Sequence, residues 1–173
     1  MTAKIGSAAT AKVVQRITAP GGPSSAAQVQ SQNAAADLAE FTSPGGPLSA
    51  TQVRSQNVAA DLAERSGTVR YPVMQVYCEK IVNSMAEKFR TFSGTVEMAV
   101  ELRHSSDRLE GLQDGLEAAA DAVTQILDAS RGDWGDGMYY SGGYQVAFGA
   151  VKRGGKNFLQ VAKVTFEIGA SIN

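Results

Sequence analysis

Few residues in this chain have the chemistry for covalent catalysis. Its 173 residues include one histidine, His104, and one cysteine, Cys78, whereas nucleophile–base machinery needs partnered groups. His104 falls where a strand should end, an ordinary place for a polar junction residue. Cys78 follows Met74 and Val76 in an apolar alternation that predicts a buried, inert thiol. No Cys and His cluster has metal-ligand spacing. The expectation is therefore no enzyme, no metal and no cofactor. Residues 130–143 (SRGDWGDGMYYSGG) place the single tryptophan and two tyrosines among glycines. Asp133 and Asp136 there lack the spacing of a calcium loop, and Arg131-Gly132-Asp133 matches an adhesion tripeptide at a length where chance suffices. Trp134, Tyr139 and Tyr140 are open to two readings: a loop that contacts a partner, or a Trp134 ring folded back over the sheet.

Charge is more informative than nucleophiles. From residue 107 to 128 the acids Asp107, Glu110, Asp114, Glu117, Asp121 and Asp128 accompany one base, Arg108. They recur by threes and fours on a face different from the apolar one, which predicts a helix with an acidic stripe. Solvated helices usually mix signs to form pairs four residues apart, and this one scarcely does. Downstream, Lys152, Arg153, Lys156 and Lys163 precede any acid before Glu167. Opposite patches on one small subunit suit a head-to-tail contact between copies, which makes a ring if the rotation closes. Alternatively the basic hairpin grips phosphates, as in a small nucleic-acid-binding module. Gly111 and Gly115 in the acidic helix are consistent with close approach by a neighbouring backbone.

The whole chain is nearly neutral, with 16 basic and 17 acidic residues, so it has no global attraction to nucleic acid or membrane. Its length suits one domain. A lone cysteine argues for an intracellular setting. Without an apolar run of about 20 residues or a signal-peptide core, a soluble protein is expected, with no membrane partner.

These groups must be positioned by elements that the pattern predicts. Residues 19–42 recur as residues 43–66 at 17 of 24 positions. Each copy opens on Pro-Gly-Gly-Pro and offers a capping box, Ser25 with Gln28 and Ser49 with Gln52, which predicts a turn and a short helix. The apolar faces are thin: Val29 and Leu38 in the first copy, Val53, Val58 and Leu62 in the second. Two copies are too few for a solenoid. Residues 1–48 read as an extension, flexible or ordered on assembly, and residues 49–173 as the domain proper. Residues 71–81 and 95–103 predict strands, residues 107–130 a helix capped by Ser106 or Asp107, and residues 144–168 a hairpin turning at 152–156. The fold class expected is α+β: a mostly antiparallel sheet of about four strands packed against a long helix and an N-terminal helix.

The strand entry Tyr71-Pro72-Val73, the strand TVEMAVELR running through His104-Ser105-Ser106 into a long helix, the segment GDWGDGMYYSGGYQVAFG and the closing VAKVTFEIGAS together resemble the tail terminator (tail completion) proteins of long-tailed bacteriophages. The resemblance covers residues 45–173 and lies in element order and texture. It implies a structural virion protein, assembled in the host cytoplasm, forming a homohexameric ring at the head-proximal end of the tail. That ring ends tail-tube assembly and joins the tube to the neck. The implied partners are further copies of the chain, the tail-tube protein, the head-completion or stopper protein of the neck, and DNA passing through the lumen without specific binding. On this reading Glu110, Asp114, Glu117 and Asp121 face the lumen, where like charge repels phosphates, or the adjoining subunit. Lys152, Arg153 and Lys156 meet a neighbouring subunit, and Trp134, Tyr139 and Tyr140 meet a tube or neck protein. Another head–tail joining or tail-tube component is the nearest alternative.

Overall fold

The computed structural model describes residues 2–18, 53–55, 73–85, 87, 89–154 and 156–173. Helix α1 (Thr2–Thr18) is followed by strands β1 (Val53–Ser55), β2 (Val73–Asn83) and β3 (Phe92–Ser106), and by helix α2 (Leu112–Ala129). Then come β4 (Gly132–Gly135), β5 (Met138–Tyr140), β6 (Tyr144–Phe148), β7 (Lys152–Gly154) and β8 (Asn157–Ile172). All eight strands belong to one sheet in the order β1-β2-β3-β8-β5-β4, with β6 and β7 also paired to β8. Only the β1–β2 pair is parallel.

The centre of the sheet follows from alternation. Val96, Met98, Val100 and Leu102 of β3 stand beside Ile168, Phe166, Val164 and Ala162 of β8, all nearly inaccessible to solvent. Period-two side chains put these eight on one face. Both helices contribute to the same core, α2 through Leu116, Ala119, Ala120, Val123 and Leu127, and α1 through Ile5, Ala9, Val13 and Ile17. Gly6 lets α1 lie close to β2, since a Cβ there would stand 3.2 Å from the Cys78 side chain.

The expected α+β fold with about four strands is overturned: among the described residues strand accounts for 51% against 28% helix. The additional strands are three or four residues long, too short for periodicity to register. β4 and β5 lie in the glycine-rich stretch expected to be a loop, and β7 where only a turn was expected. Asp136 and Gly137, with φ of 57° and 74°, make the tight turn between β4 and β5. Asp-Gly is a strong hairpin signal because that turn needs two positive φ values.

Residues 2–18, expected to belong to an extension that is flexible or ordered on assembly, form a helix packed on the core; the spacing by four of Ile5, Ala9, Val13 and Ile17 carries the signal. Val53–Ser55 is a strand rather than part of a helix, paired with Met74, Gln75 and Val76. The thin-faced helix yields there to the backbone hydrogen bonds that the β2 edge offers. The first repeat copy, and the second outside 53–55, lie outside the described residues.

The acidic helix begins at Leu112, later than expected. Its N-cap is Gly111, at φ 79°, with no side-chain cap, while Ser106 Oγ accepts a hydrogen bond from the Arg108 N–H in the preceding turn. Gly111 thus meets a backbone need, and Gly115 lies over His104, whose ring carbon would be 3.6 Å from an added Cβ.

At Gly94 an added Cβ would stand 1.9 Å from the Val82 carbonyl oxygen. Gly94→Ala is therefore expected to lower stability in urea unfolding by about 1–3 kcal/mol, the usual cost of overpacking.

Candidate functional site

Helix α2 rests its apolar side on β3 and β8 and turns Asp114, Glu117 and Asp121 outward, where all three are exposed. Leu112, Leu116, Ala119, Ala120 and Val123 fill the buried side, so the 3.6-residue period separates charge from core. Glu117 accepts a hydrogen bond of 2.7 Å from the Gln113 amide. Among the described residues Asp114 and Asp121 form no ion pair. Asp128, at the last turn, differs: it pairs with Arg131 and accepts the Tyr144 hydroxyl at 3.2 Å. Glu110 lies in the turn before the helix.

The basic patch sits on the sheet margin. Lys152 and Arg153 belong to β7, Lys156 follows in the turn into β8, and all three are exposed. None forms an ion pair among the described residues. Lys163, the fourth base of this region, is occupied internally: its Nζ donates to Glu79 Oε1 at 2.6 Å and lies 6.0 Å from the centre of the Tyr77 ring. Ser106 and Arg153 both pair with Phe158, from opposite sides. The basic turn and the turn carrying Glu110 therefore emerge at the same end of the sheet, while the remaining acids run away along α2.

The aromatic residues divide. Trp134 is 4% exposed and Tyr140 fully buried; their rings pack against one another and against Phe166, with centroids 5.5 to 6.4 Å apart. The Trp134 N–H donates to the Ser130 carbonyl at 2.6 Å, and the Arg16 guanidinium of α1 lies over its ring. Both rings are thus core, which corrects their assignment as partner contacts and favours the folded-back reading. Of these three, Tyr139 alone, 55% exposed, presents its ring outward, because the three residues of β5 alternate faces. Asp133 accepts the Gly135 N–H, and Asp136 pairs with Lys12 of α1 at 2.8 Å, which holds its carboxyl below the usual range. The aspartates of this hairpin thus lock the turn and dock α1, and no group of three or more potential metal ligands is found among the described residues.

His104 and Cys78 stay apart. Cys78 pairs with Met98, six residues along β3 from His104, which is about 20 Å at 3.3 Å per residue. The thiol is half-buried rather than fully buried, and burial pushes its pKa up, away from nucleophilic reactivity. Burial pushes that of His104 down.

The opposite face of the sheet carries a group that sequence reasoning missed. Arg103 Nε donates to Glu101 Oε1 at 2.6 Å, with both side chains largely buried, and Tyr77 donates its hydroxyl to Glu101 Oε2 at 3.3 Å. Burial first, then the Glu101 charge, pushes the Tyr77 pKa up. Alternation alone puts these positions on the non-core face, where exposure is the default expectation; nothing in a single strand's pattern signals that they are buried.

No protein-family model matches the chain, and no curated protein matches it. No helix among the described residues is long and apolar enough to cross a membrane.

Two measurements check this partition. Trp134→Ala is expected to cost about 3–5 kcal/mol in chemical denaturation, and Tyr139→Ala to stay within about 0.5 kcal/mol of the parent. Because the folded-state pKa of His104 lies below its ordinary 6.5, the unfolded chain takes up the proton first. Its contribution to stability is complete above that pH and declines as pH falls through 6.5 toward the folded value. The urea midpoint is expected to drop from pH 7.5 to 5.5 by more in the parent than in His104→Gln.

Proposed function

We propose that this chain is the subunit of a homo-oligomeric ring, a structural component of a bacteriophage virion that closes the head-proximal end of the tail tube and joins it to the neck. The observation that carries this reading is the leftover charge. Asp114 and Asp121 on α2, and Lys152, Arg153 and Lys156 at the β7–β8 turn, are exposed and form no ion pair among the described residues. Several other charges of the same subunit are paired locally, as in Lys163 with Glu79, Lys12 with Asp136 and Arg131 with Asp128. Head-to-tail association brings the basic margin of one copy to the acidic helix of the next, and a rotation that closes gives a ring. Any part of the acidic stripe left on the lumen wall repels phosphates and lets DNA slide. The resemblance of residues 45–173 to tail terminator proteins supplies the virion setting. No catalytic role is assigned.

The contact is tested by charge reversal and exchange. Lys152→Glu with Arg153→Glu and Lys156→Glu is expected to weaken self-association at least about tenfold in sedimentation equilibrium at low salt, roughly 1.4 kcal/mol. Mixing that variant with Asp114→Lys, Glu117→Lys, Asp121→Lys should restore association. Undiminished association of both variants alone overturns the contact. The virion role is tested by labelling the subunit in assembled particles: label at the head–tail junction is expected, and its absence from particles overturns the assignment.

A further inference from the structure

Aspartate is followed directly by glycine twice in this chain, at Asp114-Gly115 and Asp136-Gly137. A glycine after aspartate leaves the next backbone nitrogen unshielded, so that nitrogen can attack the side-chain carboxyl and close a five-membered succinimide ring. The fold treats the two pairs differently. Gly115 lies within α2, where its N–H donates to the Gly111 carbonyl at 3.1 Å, so its nitrogen is held in the helical ladder. Asp136 and Gly137 are the two central residues of the β4–β5 turn. The Asp136 side chain is 76% exposed, and among the described residues the Gly137 N–H has no hydrogen-bond partner. Asn83-Ser84 is closed to the same reaction: the Ser84 N–H donates to the Ser93 carbonyl, and the Asn83 amide oxygen accepts the N–H groups of Met85 and Ser93.

We infer that Asp136-Gly137 is a site of spontaneous succinimide and isoaspartate formation, restrained by the ion pair that Lys12 of α1 makes with Asp136. The Gly137 nitrogen loses its proton and bonds to Asp136 Cγ, the C–OH bond of the carboxyl breaks, and the hydroxyl and the proton leave as water. Water then adds to one of the two ring carbonyls. Cleavage at Cγ restores aspartate; cleavage at the main-chain carbonyl gives isoaspartate, with no net change in composition. The hydroxyl leaves only from the neutral acid. Lys12 Nζ, 2.8 Å from Asp136 Oδ2, holds the carboxyl ionised and tethers it to α1. Isoaspartate lengthens the main chain by one carbon in a turn with little slack. The Gly137 carbonyl accepts the Ser171 N–H at 2.8 Å, and a Cβ on Gly137 would stand 2.0 Å from the Ser171 carbonyl oxygen. The added carbon displaces these contacts and moves the carboxylate away from Lys12, which loosens α1 from the hairpin. The reaction is confined to the hairpin and α1 and is independent of the ring.

The test is incubation of the full chain at neutral pH and physiological temperature. Isoaspartate is then counted by methyl transfer from S-adenosylmethionine with an isoaspartyl methyltransferase and located by electron-transfer fragmentation of the peptides. It is expected to accumulate at 136 at least about tenfold faster than at 114, where the helix must first open. Lys12→Met is expected to speed the reaction at 136 at least about threefold by releasing the carboxyl, and Lys12→Arg, which keeps a cation there, to stay closer to the parent than Lys12→Met. Asp136→Glu, which would need a six-membered ring, is expected to remove the signal at 136. Isoaspartate forming at 114 as fast as at 136, or none at 136 in either the parent or Lys12→Met, overturns the site; that comparison needs no variant to fold in the parent's case. Equal rates in the parent and Lys12→Met, or equal acceleration by Met and Arg, overturn the restraint.

Discussion

The antiparallel pairing of β3 with β8, held in one register from Phe92 opposite Ile172 to Ser106 opposite Phe158, is the constraint on which the rest of the structure depends. Strands of this length twist and bury a wide strip on one face. Here that strip receives both helices, while the flanks of the pair receive β2 on one side and β5, β6 and β7 on the other. A slip by one residue would turn Val96, Met98, Val100 and Leu102 away from α2 and bring the intervening Glu97 and Glu101 into the apolar layer. The burial of four alternate side chains on each strand excludes that slip.

Everything with a charge is then sorted by distance from this pair. On its non-core face, where neighbouring strands stand close, Arg103 meets Glu101 and Lys163 meets Glu79. Breaking a largely buried pair such as the first leaves an uncompensated charge in a poorly solvating place, so its partners constrain strand register more than they add stability. At the margins, Lys12 and Arg16 fasten α1 to the β4–β5 hairpin by an ion pair and by stacking over Trp134. Among the described residues, Asp114 and Asp121 on the outward stripe of α2 and the bases of the turn at the β7–β8 margin are left without ion pairs. A single subunit cannot bring these together, because α2 is fixed over the middle of the sheet and the turn projects from its edge.

The α2 stripe was legible from residues 107–128 because one helix contains both its apolar and its acidic faces; the period of Leu112, Leu116, Ala119 and Val123 fixes where Asp114, Glu117 and Asp121 must point. The alternation in residues 95–103 likewise marks β3, and that of residues 162–168 marks β8. Where an element is short, this information fails. β1, β4, β5 and β7 have three or four residues each, and they are strands because an adjacent strand supplies hydrogen-bond partners, not because their sequence insists on it. Asp136-Gly137 is an exception, a local turn signal that identifies the β4–β5 hairpin once the Asp-Gly pair is given its weight.

The sequence by itself determined the two long strands, the amphipathic helix and the segregation of acidic from basic residues, since each depends on periodicity within one contiguous segment. Only the tertiary structure decided that Trp134 and Tyr140 are core while Tyr139 faces out, that residues 2–18 complete the hydrophobic layer, and that Lys163 is neutralised where Lys152, Arg153 and Lys156 are not. Those outcomes turn on which strand lies next to which across many tens of residues of chain. Pairing of that range is set by the summed burial of the whole sheet, and no local window contains it.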